Sequence, residues 1–371
     1  MDPHSQFCPN SACPARGRAG EGNITIHSQR EQRYRCAVCG RTFAARIGTP
    51  FYRQQYAPDL ITLVVTLVAY GCPQAAIVVA FGLHPRTVQR WVANAGTHCQ
   101  TVHAHLVEQP RALGQVQADE LRVKTQAGIV WIAMAVQVAT RLWLGGVVGA
   151  HRDRMLLASL AAQIVRCATC APLLLVVDGL RTYVGVFLAA FRQRVPGRRG
   201  RPRRIVWPGL VIGQVVKQYA GAGRGRRWRV TGVVRRVAYG TAAAARQLVR
   251  ATQGAGVLNT AYIERLNATF RQHLAPLGRR SRHVVRQHAT LTAGIYLVGT
   301  VYNFCTPHTS LPRVDQWGRR PTPAMAAGVT DHCWSVAEVL GYQVPPTRWR
   351  PPKQRGRRSK ALQELIDRWA A

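Results

Sequence analysis

Acidic residues are what this 371-residue chain has least of: 15 Asp and Glu stand against 51 Lys and Arg, for a formal net charge of +36. Charge on that scale repels itself unless a polyanion neutralises it, and nucleic acid is the ordinary polyanion. Lysine is scarce as well. Lys124, Lys217, Lys353 and Lys360 are the whole set, so the positive charge is almost all arginine. A GC-rich coding bias favours arginine whatever the function, but it does not remove acids. The opening MDPHSQFCPN lacks the basic and apolar regions of a secretory signal. Long hydrophobic runs are missing too. The longest, from Leu60 to Ala69, holds two threonines and is too short for a bilayer. The expectation is a cytoplasmic protein with no membrane partner. At 47% hydrophobic residues it has enough apolar matter for a core of some size.

Four segments can be read. Residues 1–50 carry two short-spaced cysteine pairs, Cys8-x4-Cys13 and Cys36-x2-Cys39, among turn-forming residues. Two such knuckles supply the four thiolates of a tetrahedral structural zinc site, and a segment this poor in aliphatic residues needs one to fold. The expectation is a zinc ribbon with Tyr34 and Phe43 in its small core. Ten cysteines in this pattern suit metal binding in a reducing compartment better than a disulfide scaffold. Residues 55–108 have helical periodicity broken at Gly71 and Gly82, and Pro85 opens a new helix. A helix, a tight turn and a second helix with a polar, basic first turn form a helix-turn-helix pattern. Arg86, Thr87, Gln89 and Arg90 would then face DNA, with Ala75, Val79, Val88 and Trp91 turned inward.

Residues 112–305 contain the informative acids. Between Gln109 and Val314 there are only Asp119, Glu120, Asp153, Asp178 and Glu264. In a polyanion-binding domain a carboxylate repels the ligand, so one that is present should be compensated by a metal or an ion pair. Asp119 lies in a strand-like run that begins an antiparallel meander, and alternation points only one of Asp119 and Glu120 inward. Asp178 ends the buried strand LLLVVD, at the carboxyl edge where α/β sites gather. Glu264 lies in the helical run TAYIERLNATFRQHL. Strand, strand and helix are the contributions of a ribonuclease H-like nucleotidyltransferase site, where two divalent ions about 4 Å apart serve the attacking and leaving oxygens. Three carboxylates without a histidine cluster suit Mg²⁺, or Mn²⁺. Asp153, after His151 and Arg152, reads as a helix cap.

VVDGLRTY and NTAYIERLNATFRQHLAPLGRRS resemble the second and third acidic motifs of the insertion-sequence-one family of bacterial transposases, and the ribbon, helix-turn-helix and Asp119-Glu120 pair fall in that family's order. The resemblance covers residues 1 to about 310. It implies a bacterial, nucleoid-associated DDE transposase with Asp119, Asp178 and Glu264 as its triad. It implies cleavage and strand transfer at the element's terminal repeats and a target DNA, and a homo-oligomer in a synaptic complex. Asn267, Arg271 and His273 would support the site or touch DNA. The stretch from Gly179 to Ile263 is longer than in compact members, so the chain resembles a longer subgroup.

That stretch holds a basic, β-rich insert, about 194–240. Arg198, Arg199, Arg201, Arg203 and Arg204 form one cluster in it, and Arg224, Arg226, Arg227 and Arg229 another. With no acid nearby, phosphate contact is the better reading. Trp207 and Trp228 read as core packing ahead of base stacking. Residues 306–371 read as a Pro-rich basic extension closing in a short amphipathic helix at 361–370. The expected fold is therefore multi-domain: ribbon (1–50), helix-turn-helix (55–108), α/β ribonuclease H-like DDE domain (112–305) and extension. The rival readings are a non-enzymatic DNA-binding regulator and a decayed transposase that binds without cutting.

Overall fold

The computed structural model describes residues 1–196, 201–220, 229–278, 285–312, 320–354 and 356–370. The chain divides into two compact units, Met1–Pro58 with Leu340–Ala371, and Asp59–Val339. In the first unit, β1 (Ile24–Ser28), β2 (Arg33–Cys36) and β3 (Thr42–Ala44) form an antiparallel sheet in that order. Tyr34 pairs with Phe43 across β2 and β3, and their rings lie 5.9 Å apart. With Ile24, Cys8, Cys13 and Cys36 they make a core that also takes Trp369 from the C-terminal helix, Lys360–Trp369. Ser359 caps that helix through the Leu362 N–H. Arg18 donates to the Trp369 carbonyl, and the Gln343 side-chain amide donates to the carbonyls of Ala45 and Ile47. The last thirty-odd residues thus belong to the first unit rather than standing free as an extension, with Trp369 contributing to its core. Residues 306–339, assigned to the same extension on sequence, belong instead to the second unit, where the Trp334 amide donates to the Phe304 carbonyl.

The second unit begins with α1 (Pro58–Ala69), α2 (Gln74–Phe81) and α3 (Pro85–Leu106). Gly82 ends α2 at φ 62°, a left-handed conformation that glycine adopts without strain. Pro85 takes the first position of α3, and the His84 ring accepts the Arg86 N–H. Val88 and Trp91 are buried as expected, but Ala75 and Val79 are exposed, and Ile77 is the buried residue of α2. An eight-residue helix held between Pro73 and Gly82 has an apolar sequence on every side, so its periodicity gives no face. Helix α3 runs on for 22 residues. A side chain at Gly96 would collide with the Ala293 backbone, so glycine is what lets α3 approach α8 (His288–Cys305) this closely.

Strands β4 (Gly114–Thr125), β5 (Gly128–Gln137) and β6 (Trp143–Gly149) form the expected antiparallel meander. After α4 (Arg154–Cys167), β7 (Leu173–Asp178) lies parallel to β4. Asp153 caps α4 by accepting the Leu156 N–H at 2.9 Å. Helix α5 (Thr182–Ala190) and a two-stranded ribbon, β8 (Arg192–Val195) with β9 (Arg203–Val206), precede β10 (Leu210–Ala220) and β11 (Arg229–Tyr239). The main sheet runs β11-β10-β7-β4-β5-β6, a mixed sheet within a mixed α/β unit. Of the expected insert, residues 210–220 and 229–239 therefore belong to the main sheet, while β8 and β9 form a two-stranded sheet of their own. Leu210–Val215 is buried and pairs in parallel with β7, because LVIGQVV is an apolar run of the kind that fills a sheet interior. Helices α6 (Ala242–Gln253) and α7 (Ala261–His273) cover one face, α6 packing through Ala245 and Val249 onto Leu174, Val176, Val211 and Val215. No helix among the described residues is long and apolar enough to cross a membrane.

Candidate metal centres

Two groups of side chains are placed to hold a metal ion. The first is Cys8, Cys13, Cys36 and Cys39, whose sulfurs all lie within 4.8 Å of one another. The Cys8–Cys39 and Cys13–Cys36 separations are 3.7 and 3.8 Å. A tetrahedron of zinc–sulfur bonds has edges of about 3.8 Å for bonds of about 2.3 Å, so the donor set fits one zinc ion. Burial pushes the Cys8 thiol well up and Cys13 to about 12. Burial acts on Cys39 in the same direction, but the Asn10 side chain and the Arg41 backbone outweigh it and bring Cys39 to about 7.

The second group is built on β4 and β7. Gln117 pairs with Val176, which brings Asp119 and Asp178, two residues further along the parallel strands, level on the same face. Carboxylate oxygens of Asp119, Glu120 and Asp178 lie within 4.8 Å of one another. Gln117, on the same face of β4, is fully buried, and its Oε1 accepts the N–H groups of Tyr262 and Ile263 at 3.0 Å each. The first turn of α7 is thereby pinned to the strand that carries Asp119. One turn on, Asn267 Nδ2 donates to Asp119 Oδ2 at 2.8 Å. Asp119 thus faces α7, and the neighbouring Glu120 turns away from it.

Glu120 has a side chain with no exposed surface and is gripped by Arg152, whose Nη2 lies 2.8 Å from Glu120 Oε2 and 2.9 Å from Asp178 Oδ2. Glu120 Oε1 is buried beside the buried Tyr183 hydroxyl. Glu264 stands apart from the three-acid group. Lys217 Nζ on β10 and Thr260 Oγ1 bind its Oε1 at 2.7 and 2.8 Å. It is still near enough to act on Asp119. Burial first, then the charges of Glu120, Asp178 and Glu264, raise Asp119 to about 6. Burial also tends to raise Glu264, but Lys217 and Thr260 outweigh it and hold it below the usual carboxylate range. A largely buried carboxyl that resists ionisation among other acids lacks a countercharge, and oxygen-only donors suit a hard divalent cation.

The DNA-facing candidates fall in several places. Arg86, Gln89 and Arg90 are exposed on the first turns of α3, with Thr87 partly so. Arg201, Arg203 and Arg204 are exposed on and before β9. Arg198, Arg199, Arg224, Arg226, Arg227 and Trp228 lie outside the described residues. Trp207, half-buried, packs edge-on against the buried Phe191 at 5.1 Å. Arg271 and His273 end α7, and the His273 ring meets Tyr70 at 5.9 Å, away from the acids. The sequence did not disclose Arg152, Lys217 or Gln117. Lys217 carried a faint signal as one of four lysines, and Arg152 as the neighbour of a capping acid.

Comparison with protein-family models gives no match, and comparison with curated proteins gives none either.

Proposed function

We propose that this chain is a DDE-type transposase, a polynucleotidyl transferase that binds the ends of its own insertion sequence and cuts and joins DNA there. The observation that carries this reading is the placement of Asp119 and Asp178 side by side, with Glu264 acting on Asp119 from α7, in a stretch between Gln109 and Val314 whose only other acids are Glu120 and Asp153. The sheet order supports the same reading, because a ribonuclease H-like domain would need an antiparallel meander, here β4, β5 and β6, continued by parallel strands on its β4 edge, here β7 and β10. The zinc-ribbon reading of the first unit and the helix-turn-helix reading of α2 and α3 belong to the same proposal.

Asp119, Asp178 and Glu264 would hold Mg²⁺ or Mn²⁺, which when bound supplies an activated attacking oxygen and a stabilised leaving oxygen. The chain's own residues do the rest. Asn267 fixes the Asp119 carboxylate, Gln117 fixes the helix that carries Glu264, and Arg152 draws Asp178 and Glu120 together. Exposed arginines of α3 would read and hold the duplex, while those around β9 neutralise phosphate without regard to sequence. Incubating the protein and Mg²⁺ with DNA spanning the ends of its own element tests the reading. Nicks at the ends, absent with Asp178→Asn, are expected. No cutting by wild-type protein with either metal defeats it.

One observation favours a second reading, a DNA-binding regulator. Arg152 and Lys217 already neutralise Asp178 and Glu264, as a purely structural ion-pair set would. Under that reading Mn²⁺ titrated into the protein finds no site besides the cysteines.

A further inference from the structure

A cavity of about 320 Å³ opens on the other side of α7 from the acids, among Arg141, Tyr262, Arg265, Tyr302, His308 and Ser310. Arg141 lies between β5 and β6 with φ 63°, a conformation a non-glycine residue adopts only when held there. It is held on every side. The Tyr302 hydroxyl donates to its carbonyl at 3.0 Å, its Nε donates to Ser310 Oγ at 3.2 Å, and its guanidinium lies 4.2 Å over the Tyr262 ring. Its Nη1 is nevertheless buried with no hydrogen-bond partner.

Arg265 enters from α7 and reaches Thr309 Oγ1 across a long 3.4 Å. Among the described residues no carboxylate forms an ion pair with either arginine, and none lines the cavity. Burial and the two guanidinium charges lower His308 to about 4, so its ring adds no charge at neutral pH. One tightly held guanidinium, a second on the exposed side of α7, an orphaned buried N–H and a hydroxyl make a site for a tetrahedral oxyanion, which guanidinium binds through paired N–H groups. The volume exceeds that of a lone ion and falls at the small end of ligand pockets, about 300–1,000 Å³. Tyr262, Tyr302, Leu266 and Val136 give it an apolar wall.

We propose that this pocket takes one nucleotide of a DNA strand, its phosphate on Arg141 and Arg265 and its base or sugar along the tyrosine wall. The inference rests on the reading of the protein as acting on DNA. It adds a second grip, because Glu264 and Arg265 are successive residues of one helix, so a strand seated in the pocket is indexed directly to the acids.

Calorimetry on the full-length protein tests this with dAMP, deoxyadenosine, inorganic phosphate and a short 5′-phosphorylated single strand. The strand should bind at least tenfold more tightly than dAMP, dAMP more tightly than inorganic phosphate, and deoxyadenosine weakest. Arg265→Gln, at an exposed helix position, and Arg141→Gln should each weaken the strand and dAMP tenfold or more while zinc content and Mn²⁺ binding stay unchanged. Equal binding of dAMP and deoxyadenosine, or wild-type affinity in both variants, overturns the proposal. Phosphate binding as tightly as dAMP reduces the site to an ion pocket and also overturns it. A strand no tighter than dAMP points to free nucleotide and overturns the strand assignment. Cutting at element ends without these dependences removes the pocket alone. These dependences without any cutting remove the transposase reading alone.

Discussion

Lys217 Nζ lies 2.7 Å from Glu264 Oε1, so the acid contributed by α7 is paired with a cation from the neighbouring β10. Both side chains are well exposed, at 38% and 46%, and a pair this wet is worth less than about 1 kcal/mol. A divalent ion would displace it at small cost. Lys217→Ala should therefore leave thermal stability nearly unchanged and tighten Mn²⁺ binding by roughly twofold to fivefold, the factor that about 1 kcal/mol allows. Calorimetric Mn²⁺ titration checks it, and weaker binding in the variant contradicts it.

Asp119 makes stability depend on pH in a definite direction. Its carboxyl titrates near 3.8 unfolded and about 6 folded. Below both values the group is protonated in both states and costs nothing. As pH rises through that window the folded state keeps a proton that the unfolded state has released, so stability falls, and the full penalty applies above 6. Asp119→Asn should stabilise the metal-free protein at about pH 7.5 by on the order of 1–3 kcal/mol and have little effect at about pH 4. Urea denaturation at the two pH values decides, and an equal effect at both sinks the idea.

The cysteine tetrad should bind one zinc per chain. Cys13→Ser is expected to lose that zinc and to open residues 1–58 to protease while leaving Asp59–Val339 resistant, since the two units have separate cores. Elemental analysis and limited proteolysis read both outcomes. Full resistance without zinc would show that the segment folds on apolar packing alone.

Base reading and phosphate neutralisation should separate. Replacing Arg201, Arg203 and Arg204 by alanine should weaken binding to any duplex and flatten the log–log salt slope, by about 0.9 for each phosphate no longer neutralised. Replacing Gln89 should narrow the gap between element ends and random DNA, with the slope unchanged. Fluorescence anisotropy across a salt series distinguishes them. A slope untouched by the triple substitution removes β9 from the DNA-binding surface.

Local signals carried much of this. Cysteine spacing, Pro85 at a helix start, Asp153 before a helix and Asp178 closing LLLVVD are each set by neighbours in the chain, and the structure places them accordingly. Pairings across long separations were not legible. Nothing in the sequence says which of 51 cations meets Asp178 or Glu264, since any arginine satisfies the same charge rule. The all-apolar α2 hid its inward face for a related reason, since burial there is decided by α3 rather than by α2's own pattern. The strand β10 was legible as a strand but not as part of the main sheet, because the arginine clusters on either side mask the buried run between them.

The burial of Trp369 among residues 8–43 has a consequence in time. A ribosome working at roughly 5–20 residues per second needs about 15–60 s to add the roughly three hundred residues between Pro58 and that tryptophan. Throughout that interval the cysteine-bearing segment lacks the side chain that fills its core, while the whole of Asp59–Val339 is already emerging. Residues 8–43 are therefore made well before they reach their final packing, and a chain interrupted before Trp369 carries Asp119, Asp178 and Glu264 together with a cysteine-bearing segment whose core is unfinished.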